Sequence, residues 1–459
     1  MADAGPHAPP VADLKRQLTL LDATMINVGT IIASAIFIVP AEIAQGLHVT
    51  SLMVLVWIIG GIVSLLGALS IAELAAAMPE AGGGFVYLRE AFSPVWGWLY
   101  GWANGIVINP ASIAAIAVGF AGYVGHFAAL SAGGIKIVAI VSILALTVLN
   151  VLGVKAGAIT QNVLTLIKIA TVTGLILVGF ILPGGSSANL QPFWPGGGTS
   201  IGAFGVAMLA VLWAYDGWIE TTYVGGEVVQ PERNLPRAII YSALICMVLY
   251  VLVTVSFTYV LGPDRVAGSK LVASDAAAVT LGAIGAGLVA AAILVSTLGA
   301  NNGIVLTAAR IPYAMARERL LFSSIGRVHP RWLTPANSLI VQAGISIGLT
   351  LTGEYDWLYT YVIFAEFVFY ALMCGALIRL RRSRPDLPRP YRAWGYPVTP
   401  ILFIGFSLWL VANTIIQDPI DSAVAAGLIL VGLPIYFYFK NTLSAIGYQL
   451  SAKPKSDSR

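Results

Sequence analysis

The sequence predicts an all-α integral membrane protein with about twelve transmembrane helices. Hydrophobic residues make up 58% of its 459 residues, charged residues only 10%, and the mean hydropathy is +0.86. In a soluble domain roughly a quarter of the residues are charged, so this composition indicates a protein of the lipid bilayer. The apolar runs are long and show no strict two-residue alternation, which predicts helices rather than a β-barrel.

Twelve apolar runs are long enough to serve as membrane spans, at about 20 residues each. Their approximate bounds, numbered below as spans 1 to 12, are 22–45, 51–77, 94–124, 136–152, 160–182, 201–229, 238–262, 285–316, 336–353, 356–380, 398–416 and 421–440.

Basic residues fall mostly on one side of this topology. With the N-terminus in the cytoplasm, the outer side receives only Lys136, Arg265 and Lys270. The inner side receives the loop RLRRSRPDLPRPYR, the C-terminal tail and the following residues: Lys15, Arg16, Arg89, Lys155, Arg233, Arg237, Arg317, Arg319, Arg327 and Arg331. This asymmetry predicts the cytoplasmic membrane, with both termini inside. The net charge of +4 therefore reflects topology, and no nucleic-acid partner is predicted.

The remaining composition argues against an enzyme, a metal protein or a protein that needs a cofactor. The two cysteines, Cys246 and Cys374, both lie in apolar runs, so they predict no disulfide framework or metal site. The four histidines are scattered without ligand spacing, and no convergent nucleophile and base are visible. The polar start of the chain shows no signal peptide.

Two spans are interrupted by small or polar residues at mid-depth. Span 1 contains GTIIASAIF at 29–37, and span 6 contains WAYDGWIE at 213–220. Small residues in one membrane helix usually indicate close helix packing. Here both interruptions fall in the first span of a five-span set, spans 1–5 and 6–10. Paired discontinuous helices at corresponding positions indicate the central binding site of a transporter.

Five stretches resemble the amino acid–polyamine–organocation superfamily, in the branch of bacterial L-type amino acid transporters. They are VGTIIASAIFIVP, GALSIAELAAAMPEAGGGFVYLREAF, LWAYDGWIETTYVGGEVVQPERNLPRAI, LGANNGIVLTAARIPYAMARERLLF and RRSRPDLPRPYRAWGYP. The resemblance implies the LeuT-type 5+5 inverted repeat with broken helices 1 and 6.

The resemblance also divides the chain. A cytoplasmic tail at 1–20 precedes a ten-helix transport core at 21–380, whose repeats cover about 21–183 and 201–380. Helices 11 and 12 with their basic loop occupy 381–440, and a cytoplasmic tail occupies 441–459.

The resemblance places an amino acid at the two breaks. Backbone amides of Ala33, Ser34 and Ala35 stand where the family has Gly-Ser-Gly and would hold the substrate carboxylate. The substrate ammonium would meet backbone carbonyls near Ile31 and around Trp213 and Ala214. Trp213 occupies the position of the family's outer aromatic gate.

Alanine replaces both glycines of that signature. Alanine resists positive φ, so either the backbone keeps alanine-compatible angles or the site is altered. The two added methyl groups remove space at the carboxylate end. They predict a small neutral substrate such as alanine, glycine or serine.

Lys168 is the only lysine deep within a span, where an ionisable group suggests function. The resemblance makes its ammonium a substitute for the sodium ion of sodium-coupled relatives, bridging carbonyls of span 1 to polar groups of span 8. The span 8 candidates are Ser296, Thr297, Asn301 and Asn302.

The acidic residues in the spans are harder to assign. Asp216 could receive hydrogen bonds from the unwound turn, lie near the substrate amine, or cap a second half-helix of span 6. Glu227 is expected in charge pairs at a cytoplasmic gate. Glu220 and Glu366 receive no role.

These observations predict a secondary transporter that exchanges small neutral L-amino acids without sodium. A proton-coupled symporter and a non-transporting amino-acid sensor remain alternatives. Family members that need a glycoprotein partner carry a cysteine in the loop after span 3. The loop HFAALSAGGIK has none, so no disulfide-linked heavy chain is expected and the partners are the substrate and the bilayer.

Overall fold

The computed structural model describes residues 13–191, 193–194, 201–352 and 358–451, and their regular structure is helical. The α-helices are α1 Leu20–Ile31, α2 Ala35–Leu47, α3 Thr50–Ala77, α4 Gly84–Ala91, α5 Pro94–Trp102, α6 Asn109–Ala128, α7 Ala132–Val151, α8 Val154–Ile181, α9 Ile201–Tyr215, α10 Pro231–Leu261, α11 Pro263–Ala267, α12 Val272–Leu281, α13 Ala283–Ala308, α14 Arg310–Arg317, α15 Ala336–Thr352, α16 Leu358–Ser383, α17 Val398–Gln417 and α18 Pro419–Ser451.

The predicted membrane architecture is confirmed. Within the described residues, nine helices are long and apolar enough to cross a membrane, and ten if the bent pair α1–α2 counts as one span. The shorter apolar helices α9 and α15 stand at spans 6 and 9. This is a multi-pass membrane protein.

Span 1 is broken where its small residues predict a break. A capping box between Thr19 and Asp22 begins α1, which ends at Ile31. Three residues, 32–34, separate it from α2, and the two halves differ in direction by 43°. The break therefore exposes the C-terminal carbonyls of α1 and the N-terminal amides of α2.

Span 6 is interrupted as well, but its second half is not an α-helix. Helix α9 ends at Tyr215, and Gly217 follows at φ +108°. Two short 3₁₀ turns, Glu220–Thr222 and Gly225–Glu227, then lead to α10. Threonine and glycine have low helix propensity, which favours this outcome. The interpretation of Asp216 as the cap of a second half-helix is therefore wrong.

The two interruptions lie against each other near the centre of the bundle. The Thr30 hydroxyl donates to the Gly217 carbonyl at 3.2 Å, and the Asn27 amide donates to the Trp218 carbonyl at 2.7 Å. A side chain at Gly217 would clash, since its Cβ would lie 2.9 Å from Thr30 Oγ1. These contacts hold the two breaks next to each other.

Several features go beyond the sequence prediction. A π-helical turn at Ala103–Ile108 interrupts span 3, and α11 and α12 lie between spans 7 and 8. Helix α18 continues past 440 to Ser451. Residues 356–357 of predicted span 10 and parts of both predicted tails, 1–12 and 452–459, lie outside the described residues.

Candidate functional site

The first turn of α2 offers hydrogen-bond donors at the break in span 1. Ser34 is its N-cap, and the Ser34 side chain makes no capping hydrogen bond. The first amides of a helix have no intrahelical acceptor and lie at the positive end of its dipole. Ala33 and Ser34 are partly exposed, whereas Ala35 is buried. The Ala33 amide donates to the Ile31 carbonyl at 2.9 Å, so the prediction that it holds a carboxylate does not fit this structure. This end of the break suits a carboxylate or another small anion.

The backbone at the two alanines needs no glycine. Ser34 has φ −78°, and neither Ala33 nor Ala35 is among the described residues with positive φ. Of the two possibilities that the sequence left open, the backbone follows the first and stays in regions that alanine adopts freely.

Carbonyl groups form another part of the site. The Tyr250 hydroxyl lies 2.8 Å from the Ile31 carbonyl oxygen and 3.1 Å from that of Ala214. The Ile31 carbonyl also accepts from the Ala33 amide at 2.9 Å. A hydroxyl has one proton, so when Tyr250 donates to Ile31 the Ala214 carbonyl can accept from an ammonium group. The sequence reasoning missed Tyr250. Its signal was a phenol within the apolar span 7, because a buried tyrosine hydroxyl needs a partner.

Tyr250→Phe should therefore weaken amino acid binding by about tenfold, the effect of losing roughly 1–1.5 kcal/mol of hydrogen bonding. The ring contacts of Tyr250 with Trp57 and Tyr215 would remain. Equilibrium binding of radiolabelled L-alanine checks this, with Tyr241→Phe on the exposed side of the same helix as control. Equal affinity in both variants would remove Tyr250 from the site.

Lys168 meets the same break from α8. Its buried ammonium donates to the carbonyls of Gly29 at 2.5 Å and Ile32 at 2.9 Å. Ser296 in α13 donates to the carbonyls of Ile32 at 3.1 Å and Ala33 at 3.0 Å. Spans 1, 5 and 8 are thus joined through the unwound carbonyls. Gly299 permits this approach, because a Cβ there would lie 2.8 Å from Lys168 Cε.

The other span 8 candidates make different contacts. The Thr297 hydroxyl donates to the Ile293 carbonyl of its own helix at 2.9 Å. The Asn301 amide donates to the Ile113 carbonyl at 3.3 Å, and the Asn302 amide donates to Gln161 Oε1 at 2.8 Å. Ser296 is therefore the candidate that the structure brings to Lys168.

The acidic residues of spans 6 and 10 gather beside the second break. The Tyr370 hydroxyl donates to Asp216 Oδ1 at 2.8 Å, and the Glu366 carboxyl group lies next to that of Asp216. The Thr307 hydroxyl donates to Glu220. Along the chain, Trp213 and Asp216 are partly exposed, and Ala214 between them is buried.

A buried ion pair joins the ends of spans 6 and 8. Arg310 Nε and Nη2 lie 2.7 Å and 3.0 Å from the carboxylate oxygens of Glu227, and both side chains are fully buried. The Glu227 carbonyl also accepts hydrogen bonds from the amides of Gln17 and Leu18. The chain before span 1, the end of span 6 and the end of span 8 therefore meet at Glu227.

Comparison with known proteins identifies the family of the chain and several of its relatives. Residues 18–439 match the family described as amino acid permease. The chain is 32% identical over 432 residues to the serine/threonine exchanger SteT of Bacillus subtilis, covering 93% of this chain and 97% of that protein. It is 35% identical over 436 residues to the mouse b(0,+)-type amino acid transporter 1, covering 93% and 88%. It is 31% identical over 438 residues to the mouse Asc-type amino acid transporter 1, covering 92% and 81%.

Proposed function

The chain belongs to the amino acid permease family, and from this premise we propose that it exchanges small neutral L-amino acids across the cytoplasmic membrane without sodium. The family and the relatives found are amino acid transporters rather than enzymes. The all-helical architecture with interrupted spans 1 and 6 fits the LeuT-type fold.

One observation carries the proposal. The interrupted segments present amide donors at the start of α2 and carbonyl acceptors at Ile31 and Ala214. An amino acid zwitterion has one anionic and one cationic end, so it matches both sets of groups. Unpaired backbone groups at membrane depth are tolerated where they line such a site.

The position of Lys168 supports sodium independence. Its ammonium already occupies the carbonyls of Gly29 and Ile32, which would otherwise be available to a cation. These two hydrogen bonds stabilise the break without a transported ion. This favours exchange over ion-driven uptake.

Reconstitution into proteoliposomes tests the proposal. Uptake of radiolabelled L-serine without sodium should require unlabelled L-serine or L-alanine inside the vesicles. L-Phenylalanine and L-arginine should compete weakly. Accumulation in empty vesicles under an inward proton gradient would instead establish the symporter alternative, and saturable binding without any uptake would establish a sensor.

The size limit has its own test. Restoring Ala33→Gly together with Ala35→Gly removes two methyl groups at the carboxylate end. The double variant should admit larger neutral amino acids. Its affinity for L-leucine relative to L-alanine should rise by about tenfold, since hydrophobic pockets discriminate one methylene by about 1–3 kcal/mol. Competition assays measure this ratio. Wild-type protein that already prefers phenylalanine or arginine to alanine would refute the steric argument.

We propose that the transport core covers 21–380, that both termini are cytoplasmic, and that no disulfide-linked heavy chain is needed. The topology is supported by the asymmetric distribution of basic residues. The last point is supported by the two cysteines, Cys246 and Cys374, both of which are buried. Migration of the purified protein on non-reducing gels as a monomer that transports after reconstitution would agree with it.

A further inference from the structure

A pair of carboxyl groups lies beside the second break, and the transport site described above does not use it. Asp216 follows the end of α9, and Glu366 lies in α16. Their carboxyl groups lie next to each other, and Tyr370 donates to Asp216 Oδ1 at 2.8 Å. Glu366 is only 6% exposed, and its Oε2 atom is buried with no hydrogen-bond partner.

In the described part of the chain, no ion pair joins Asp216 or Glu366 to a basic residue. Lys168 is bonded to carbonyls of span 1, and Arg310 is paired with Glu227. The titratable groups that face the pair are all acids or phenols: Glu220, Tyr370, Tyr223 and Tyr100.

The surroundings of the pair indicate that it holds at least one proton. Two neighbouring carboxyl groups in a buried site disfavour each other's ionised form. Leaving a buried charged oxygen without a donor is more costly than leaving a neutral one. The unpartnered Glu366 Oε2 therefore suits a protonated acid, and two protons would leave the pair without net charge.

We infer that Asp216 and Glu366 form a proton-binding site, and that the ammonium group of the bound amino acid displaces one of its protons. This inference rests on the proposed function. The ammonium docks at the Ala214 carbonyl, two residues before the partly exposed Asp216. A positive charge close to a carboxyl group favours its ionised form. One proton passes to water, one stays between the carboxyl groups, and the single negative charge left behind faces the ammonium.

This step links binding to pH. Because a proton is released on binding, acid opposes binding, and the Kd for a neutral amino acid should rise by up to about tenfold per unit fall in pH while the free pair holds both protons.

Calorimetry of wild-type protein with L-alanine in two buffers of different ionisation enthalpy counts the protons directly. We expect about one proton released per alanine bound. Glu366→Gln keeps a side chain of the same shape without an ionisable carboxyl, and should reduce the release to near zero and flatten the pH dependence of Kd. Asp264→Asn, which removes an exposed carboxyl group in α11, between spans 7 and 8, should behave as wild type.

A second measurement needs no substrate. The infrared spectrum of the substrate-free protein should contain a protonated-carboxyl band that Glu366→Gln reduces and Asp264→Asn leaves intact. Alanine binding without proton release, or an unchanged carboxyl band in Glu366→Gln, would overturn the inference. Absence of any alanine binding would count against the proposed substrate instead, and the infrared band would still decide whether the pair holds its protons.

Discussion

Replacing Lys168 by alanine is expected to reduce amino acid exchange by roughly 100-fold or more. The change removes two charge-assisted hydrogen bonds, to the carbonyls of Gly29 and Ile32, each worth about 1.5–3 kcal/mol. It leaves those carbonyls unsatisfied in a buried site and loosens the junction of spans 1, 5 and 8. Exchange of L-serine in proteoliposomes measures the effect.

The matched control is Lys270→Ala, which removes an exposed lysine outside the spans and should exchange at the wild-type rate. Both variants should reach the membrane in similar amounts. Near-normal exchange by Lys168→Ala would show that the ammonium is a packing feature and not a support of the site.

Replacing Arg310 by methionine is expected to lower the free energy of unfolding by about 3–5 kcal/mol, because it leaves Glu227 as an unpaired buried charge. Removing both charges, with Glu227→Leu added, should recover most of the loss, since buried ion pairs are often replaceable by apolar side chains. Thermal unfolding in detergent compares the stability of the wild type, Arg310→Met and the double variant.

Arg317→Met provides the comparison, because the pair of Arg317 with Asp13 is exposed and worth at most about 1 kcal/mol. If Arg310→Met and Arg317→Met unfold alike, the Glu227 pair does not hold this end of the helix bundle together. If the double variant is stable but exchanges slowly, the pair acts in closing that end and not only in folding.

The sequence predicts the features of this site that are local. Small residues at 33–35 weaken a membrane helix within a single turn, and the break appears there. The lysine at 168 is conspicuous because charge is rare at membrane depth. Both signals are readable without knowing what lies opposite.

Contacts between distant segments were not predictable in the same way. Tyr250 reaches Ile31 across 219 positions, and Arg310 reaches Glu227 across 83. Nothing in the periodicity of one helix states which neighbour it faces. The prediction of a helix in the second half of span 6 was wrong for a different reason. Hydropathy predicts that a segment is buried but not that it is helical, and the buried Thr221 and Thr222 lie in a 3₁₀ turn.

Binding of radiolabelled L-alanine to purified Ser34→Pro and Ser34→Ala tests the claim that backbone amides at the break hold the amino acid. Proline tolerates the φ of −78° at this position but lacks the amide proton, whereas alanine keeps the amide and loses only the hydroxyl. The account predicts no saturable binding to Ser34→Pro, in protein that remains monodisperse, and wild-type affinity within about threefold for Ser34→Ala, because the hydroxyl makes no capping bond. Equal binding by both variants would contradict it and place the carboxylate elsewhere.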